Sequence, residues 1–205
     1  MKIFAVHNNY AAENGNKTRE SAFMYKEPVI YEMPDTALLK DNRPFFVPDY
    51  AMPCTYQVSL IVRVCRLGRH IAPNFARRYY DAMTVGVSFT ADNLYRQCRE
   101  AGLPWDVSKG FDGAAVCGTF IELAEGMAAD GKMRLEADGV TVQEAMTADS
   151  AFTVDEIVSH ISKFYMLRQG DLIYTGYPCP PNVAKLNTRL TAWLDDTMVL
   201  GFNIK

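Results

Sequence analysis

The sequence predicts a strand-rich α+β domain with about three helices, and three observations carry that prediction. An unbroken alternation from Tyr56 to Leu67 puts Tyr56, Val58, Leu60, Val62 and Val64 on one face of a strand and Gln57, Ser59, Ile61, Arg63 and Cys65 on the other. Helical spacing occurs only in short segments, at 73–83, in ADNLYRQCREAG and in VDEIVSHISKFYML. Prolines at 28, 34, 44, 48 and 53 exclude long helices between them, because proline lacks the amide donor and clashes inside a helix. With 205 residues, 49% of them hydrophobic, the chain suits one domain over residues 1–205 with a substantial core.

The elements follow in order. IFAV at 3–6 reads as a short buried strand, and NNYAAENGNKTRES after it as a polar, glycine-containing loop. Short strands and turns fill 28–53, followed by the strand from Tyr56. A helix is expected over 73–83, opened near Pro73, and a buried strand over 84–90 (TVGVSFT). In the next helix Leu94, Cys98 and Ala101 fall in register, with Gly102 as its stop. The loop LPWDVSKGFDG leads to a strand around 115–121, then to a hairpin over 133–145 turned at Asp138-Gly139. After the amphipathic helix VDEIVSHISKFYML, QGDLIYTGYP turns into a strand, and TRLTAWLD and TMVLGFNI form two more.

Composition narrows the function classes. The net charge of -3 comes from 21 basic and 24 acidic residues scattered along the chain, so nothing marks a nucleic-acid surface. No apolar run approaches the roughly 20 residues that span a bilayer. MKIFAVHNNY lacks the apolar core and cleavage site of a signal peptide. The five cysteines (Cys54, Cys65, Cys98, Cys117, Cys179) are odd in number and include no CxxC pair, so the expectation is a reduced, cytoplasmic protein.

NNYAAENG, YEMPDTALL, YQVSLIV, VGVSFTADNLYRQCREAGLPWDVSKGFDG and GDLIYTGYP, in this order and spacing, resemble the fumarylacetoacetate hydrolase superfamily over nearly the whole chain. The nearest resemblance is to its short single-domain branch of acylpyruvate hydrolases, oxaloacetate decarboxylases and homoprotocatechuate-pathway isomerases. It implies a mixed β-roll of the C-terminal-domain type with a few flanking helices, a homodimer, and cleavage or isomerisation of small 2-oxo and 2,4-dioxo acids with Mg2+ or Mn2+. In that family a Glu-x-Glu pair and a later Asp hold the ion, which wants anionic oxygens and polarises the substrate carbonyl.

At those positions this sequence has Gln57, Ser59 and Ser88, all neutral. Ser59 and Ser88 lie 29 residues apart, which fits the family's spacing, so the residues are substituted in place. The resemblance therefore implies no family-type metal site and no expected cofactor, with Mg2+ or Mn2+ returning only if Asp92 or Asp112 supplies the missing charge. The family's His and Glu base pair is Glu13 and Asn16 here, its Arg-Asp is Asp92-Asn93, its Lys before Pro-Asp is Met33, and its Gly-Thr-Pro is Gly176-Tyr177-Pro178. Lys109, Phe111-Asp112-Gly113 and Thr147 are retained.

Lys109 then reads either as an electrostatic stabiliser facing a pocket or as a loop lysine, and Glu13 either as a replacement base, if burial raises its pKa, or as a solvated loop residue. Asp112, Thr147, Gly176 and Tyr177 are the candidate substrate contacts. Trp105 and Pro104 read as packing, as do Tyr79, Tyr80, Phe89 and Tyr95. His7, His70 and His160 show no ligand spacing, and no His is placed in sequence to activate Cys117 or Cys179. The CPP run at 179–181 predicts a stiffened pocket mouth. Three functions follow: a diverged member with lost or altered activity that binds a small 2-oxo acid; an active hydrolase, isomerase or decarboxylase with a modified site; or a structural partner of an intact paralogue.

Overall fold

A computed structural model describes residues 1–7, 9, 10, 26–178 and 180–205. Its strands are β1 Ile3–His7, β2 Val29–Met33, β3 Leu38–Leu39, β4 Cys54–Val64, β5 Tyr80–Ala91, β6 Ala115–Cys117, β7 Ile121–Glu122, β8 Lys132–Ala137, β9 Val140–Met146, β10 Leu172–Tyr174, β11 Asn182–Val183, β12 Arg189–Leu194 and β13 Thr197–Asn203. The described helices are α1 Pro73–Ala76, α2 Asp92–Glu100 and α3 Val154–Phe164.

Nine strands form one mixed sheet along the path β2-β1-β10-β4-β5-β6-β3, with β11 added to β4 and β7 to β5. The other four form an antiparallel sheet in the order β13-β12-β8-β9. This is the strand-rich α+β fold that the alternation and the proline spacing predict, with the mixed sheet that the resemblance implies.

The central pair β4 and β5 decides where the core and the site go. Side chains directly opposite each other on antiparallel strands share a face. Gln57 stands opposite Ser88, Ser59 opposite Gly86 and Thr55 opposite Thr90, so all six lie on one face. On the other face, Tyr56, Val58, Leu60, Val62, Val85, Val87 and Phe89 pack into the larger core. Met133, Leu135, Leu190 and Phe202 of the second sheet and Ile157, Val158 and Ile161 of α3 complete that core.

A smaller apolar cluster, including Ile3, Ala5, Tyr31, Met33, Ile61, Ala115, Cys117, Leu172 and Tyr174, covers part of the Gln57 face, with Trp105 packed against it. Because both faces are covered, β4 is buried along nearly its whole length. Gly86 is required there, since a Cβ would come within 2.3 Å of both Ile61 Cδ1 and the Val116 carbonyl oxygen.

Two expected elements are corrected. The strand around 115–121 is two short strands, Ala115–Cys117 and Ile121–Glu122, each paired with β5. The helix over 73–83 stops after one turn: Pro73–Ala76 is helical, Arg77–Tyr79 is a 3-10 turn, and Tyr80 already begins β5. The spacing of PNFARRYYDAM fits a helix, but pairing of Tyr80, Ala82 and Met83 with β4 buries those side chains more completely.

The other helices follow their local signals. Thr153 accepts from the Glu156 amide while the Glu156 carboxylate accepts from the Thr153 amide, a capping box that starts α3. Asp138 and Gly139 both take positive φ between β8 and β9, as a two-residue hairpin demands.

Candidate functional site

Lys109 leaves the 3-10 turn Asp106–Ser108 and reaches the Gln57 face of the sheet. The turn is held by amides of Lys109 and Gly110 donating to the Asp106 carbonyl at 3.0 and 2.7 Å. Lys109 is 6% exposed, and its Nζ donates to Thr90 Oγ1 at 2.9 Å. Three phenol rings surround that nitrogen, with centroids at 5.1 Å (Tyr95), 5.8 Å (Tyr31) and 5.8 Å (Tyr177). Burial lowers the Lys109 ammonium from its ordinary 10.5 to about 8, against a smaller opposing pull from the Asp92 carboxylate.

The rings come from three separate places. Tyr31 sits on β2 opposite Ala5, Tyr95 on α2, and Tyr177 just beyond β10. Tyr177 donates to Ser88 Oγ at 3.1 Å and its hydroxyl lies 2.6 Å from that of Tyr31. Burial raises the pKa of both phenols, so both stay protonated.

Trp105 closes the group, with ring centroids 5.1 Å from Tyr31, 5.8 Å from Tyr95 and 5.9 Å from His7. Its packing role is as expected. His7 Nε2 lies 3.3 Å from the Tyr95 hydroxyl. Burial first, then the charges of Lys109 and Arg99, lowers His7 to about 4 and keeps it neutral at pH 7.

The three positions that the resemblance assigns to metal are internally engaged. Gln57 Nε2 donates to the Pro178 carbonyl at 3.3 Å, Ser59 Oγ donates to the Leu60 carbonyl at 3.0 Å, and Ser88 Oγ accepts from Tyr177. An amide and two hydroxyls supply no anionic charge against the desolvation of a divalent ion, so this donor set does not fit one. Asp92 is ion-paired with Arg96 at 2.7 Å, and Asp112 is exposed. Among the described residues no three His, Cys, Asp or Glu side chains gather as a metal site.

The remaining candidates fall in different places. Gly176 has φ +109, and a Cβ on it would meet Asn9 Cβ at 2.4 Å. Asn9 ties three segments together: its Nδ2 donates to the Thr175 and Phe152 carbonyls and its Oδ1 accepts from the Phe152 amide. Thr147 lines a separate cavity of about 320 Å³ with Tyr10, Asp130, Asp155 and Thr175. Its hydroxyl bonds Asp130 and accepts from the Gly131 amide at 3.0 Å. Glu13, Asn16 and Cys179 lie outside the described residues.

The loop after Tyr177 is tied to both sheets. Besides the bond from Gln57 to Pro178, Gln143 on β9 donates to the Pro180 carbonyl at 2.7 Å and accepts from the Val58 amide at 2.7 Å. Tyr31 and Thr90 are the site residues that sequence reasoning passed over, and His7 was read there only as showing no ligand spacing. Tyr31 was detectable as the inward position of YEM beside the proline turn, whereas Thr90 and His7 carry no local signal.

A mixed sheet with a second antiparallel sheet behind it, and a lysine loop laid across its front, is a known architecture. The fumarylacetoacetate (FAA) hydrolase C-terminal family model matches residues 2–201, and the chain belongs to that family.

Mouse mitochondrial oxaloacetate tautomerase is 28% identical over 99% of this chain and 91% of its own length. An uncharacterized protein of Pyrococcus abyssi is 31% identical over 97% of this chain and 88% of its own. The crystal structure of fumarylpyruvate hydrolase from Pseudomonas aeruginosa, in complex with Mn2+ and pyruvate, superposes with a TM-score of 0.89 at 25% identity, covering 100% of this chain and 89% of that one. Among the described residues no helix is long and apolar enough to cross a membrane.

Proposed function

We propose that this chain is a diverged family member that binds a small 2-oxo acid beside Lys109 without a divalent ion, its metal-dependent hydrolase or isomerase chemistry lost or altered. The observation that carries this reading is a buried lysine beside neutral, internally hydrogen-bonded groups at all three metal positions. A buried ammonium whose hydrogen bond goes to an uncharged hydroxyl suits a carboxylate ligand. The relatives support the substrate class, since one is an oxaloacetate tautomerase and another was solved with pyruvate. Homodimeric assembly and a cytoplasmic location belong to the same proposal and follow from the resemblance and the cysteine usage.

Calorimetric titration of chelator-treated protein tests it. The expected result is no saturable heat with Mg2+ or Mn2+, and saturable binding of pyruvate and oxalate that disappears in Lys109→Met. Saturable metal binding strengthened by oxalate would overturn the reading and direct attention to Asp92 and Asp112.

A further inference from the structure

We propose that Lys109 Nζ is a nucleophile that forms an imine with the C2 carbonyl of a 2-oxo acid, so that the site works covalently and without metal. This deepens the reading above and rests on it, because a 2-oxo acid must first occupy the site.

The geometry is that of an amine prepared to be neutral. A buried ammonium is normally matched by a carboxylate. Among the described residues Lys109 makes no ion pair, and its hydrogen bond goes to an uncharged hydroxyl, Thr90 Oγ1 at 2.9 Å. Its other neighbours are the ring faces of Tyr31, Tyr95 and Tyr177, which stabilise a cation far less than an anion would, and the Asp92 carboxylate, which is paired with Arg96 and offsets the desolvation only in part. His7, the other basic side chain in the group, is held neutral by burial and by Lys109 itself.

Desolvation of this kind activates a lysine toward carbonyls, because the lone pair becomes available near neutral pH. The lowered pKa of Lys109 agrees with that reading. Exposed lysines, with pKa values near about 10.4, stay protonated and inert at the same pH.

The step balances without a further reactant. The Nζ lone pair forms the N–C2 bond while the carbonyl π pair moves to oxygen. That oxygen then leaves as water with the two protons brought by the amine, and C=N remains. Protonation of the imine nitrogen by solvent gives an iminium, which withdraws electrons from C3. A C3–H bond can then break, its proton passing to solvent water and its pair forming an enamine as the C=N pair returns to nitrogen. Reprotonation at C3 and addition of water release the 2-oxo acid and the free amine. The iminium thus supplies the electron withdrawal that a Lewis-acidic metal would supply to a carbonyl.

Reductive trapping tests this directly. The full chain is incubated near pH 7 with pyruvate and cyanoborohydride, and the product is read by intact mass and peptide mapping. The expected result is a gain equal to the mass of pyruvate less one oxygen atom, located on Lys109 and suppressed by oxalate. Labelling at any other lysine should be about tenfold slower.

Mapping on the wild-type protein keeps the test independent of whether Lys109→Met folds. In parallel, the methyl protons of pyruvate should exchange with deuterated water in the presence of the wild-type protein and not with Lys109→Arg. Saturable pyruvate binding with no adduct would overturn the imine while leaving the binding reading intact. Absence of both binding and adduct would overturn the two together. Adducts spread evenly over the lysines would also overturn the imine.

Discussion

Replacing Lys109 by methionine should stabilise the protein at neutral pH and erase a distinctive pH dependence. In the unfolded chain the ammonium titrates near its ordinary 10.5, and in the folded protein near about 8. At about 1.36 kcal/mol per pH unit, this difference makes the buried charge cost about 3 kcal/mol at pH 7.

Between the two pKa values the unfolded state holds the proton and the folded state does not, so stability rises with pH through that window. Below about pH 8 the cost is present in full, and above 10.5 it is gone. Methionine fills a similar volume but leaves Thr90 without its donor, which returns roughly 1 kcal/mol.

The net expectation is that Lys109→Met is about 2 kcal/mol more stable than wild type at pH 7, with the difference falling and then reversing to a small deficit by pH 10. Across this range His7 is neutral and the Tyr31 and Tyr177 phenols stay protonated. Urea denaturation of both proteins at pH 7, 8, 9 and 10 reads the difference. A stability gap that does not change with pH would refute the reasoning, because it would mean that Lys109 titrates alike in the folded and unfolded chains.

Three further outcomes are expected. Asn9→Ala should lower stability by about 2–4 kcal/mol in chemical denaturation, because it strands the part-buried Phe152 amide and frees two carbonyls; a loss below about 1 kcal/mol would show that water replaces Asn9. Thr153→Ala removes the capping box of α3 and should cost about 1 kcal/mol in thermal or urea unfolding, with no change in pyruvate binding. The triple variant Gln57→Glu, Ser59→Glu, Ser88→Asp should acquire saturable Mn2+ binding while the wild-type protein shows none, since all three side chains share one face; a folded triple variant with no metal binding would show that the face lacks the needed geometry.

Much of this arrangement was legible because period-two alternation is a local property. Tyr56 through Val64 announce which side chains share a face, the observed register confirms that Gln57 and Ser59 face the same way, and the pairing of β4 with β5 adds Ser88 to that face. The hairpin at Asp138-Gly139 and the cap at Thr153 are likewise written in adjacent residues.

What stayed hidden depends on pairing across the chain. The start of β5 at Tyr80 was masked by a helical spacing that sheet pairing overrode. The tyrosines around Lys109 come from β2, α2 and the segment after β10; Tyr31 and Tyr177 meet because β1 pairs with both β2 and β10. Tyr95 in particular reads as core from its helix, although its ring faces Lys109. Thr147 matches the family's pattern as a substrate contact, yet its hydroxyl is spent on Asp130 and Gly131 at a different cavity.

The two-sidedness of β4 has a consequence for how such a protein changes over time. Tyr56, Val58, Leu60 and Val62 look toward the larger core, while Gln57 and Ser59, one step away along the same strand, look toward Lys109's side of the sheet. Gln57 and Ser59 can be substituted without touching the side-chain packing of the even-numbered residues on the opposite face, whereas Ile61 on their own face is part of the smaller core. A lineage can therefore rewrite the chemistry of this strand residue by residue while its folding determinants are inherited unaltered. Sequence similarity across the strand then reports ancestry on one face and occupation on the other, and the two need not agree.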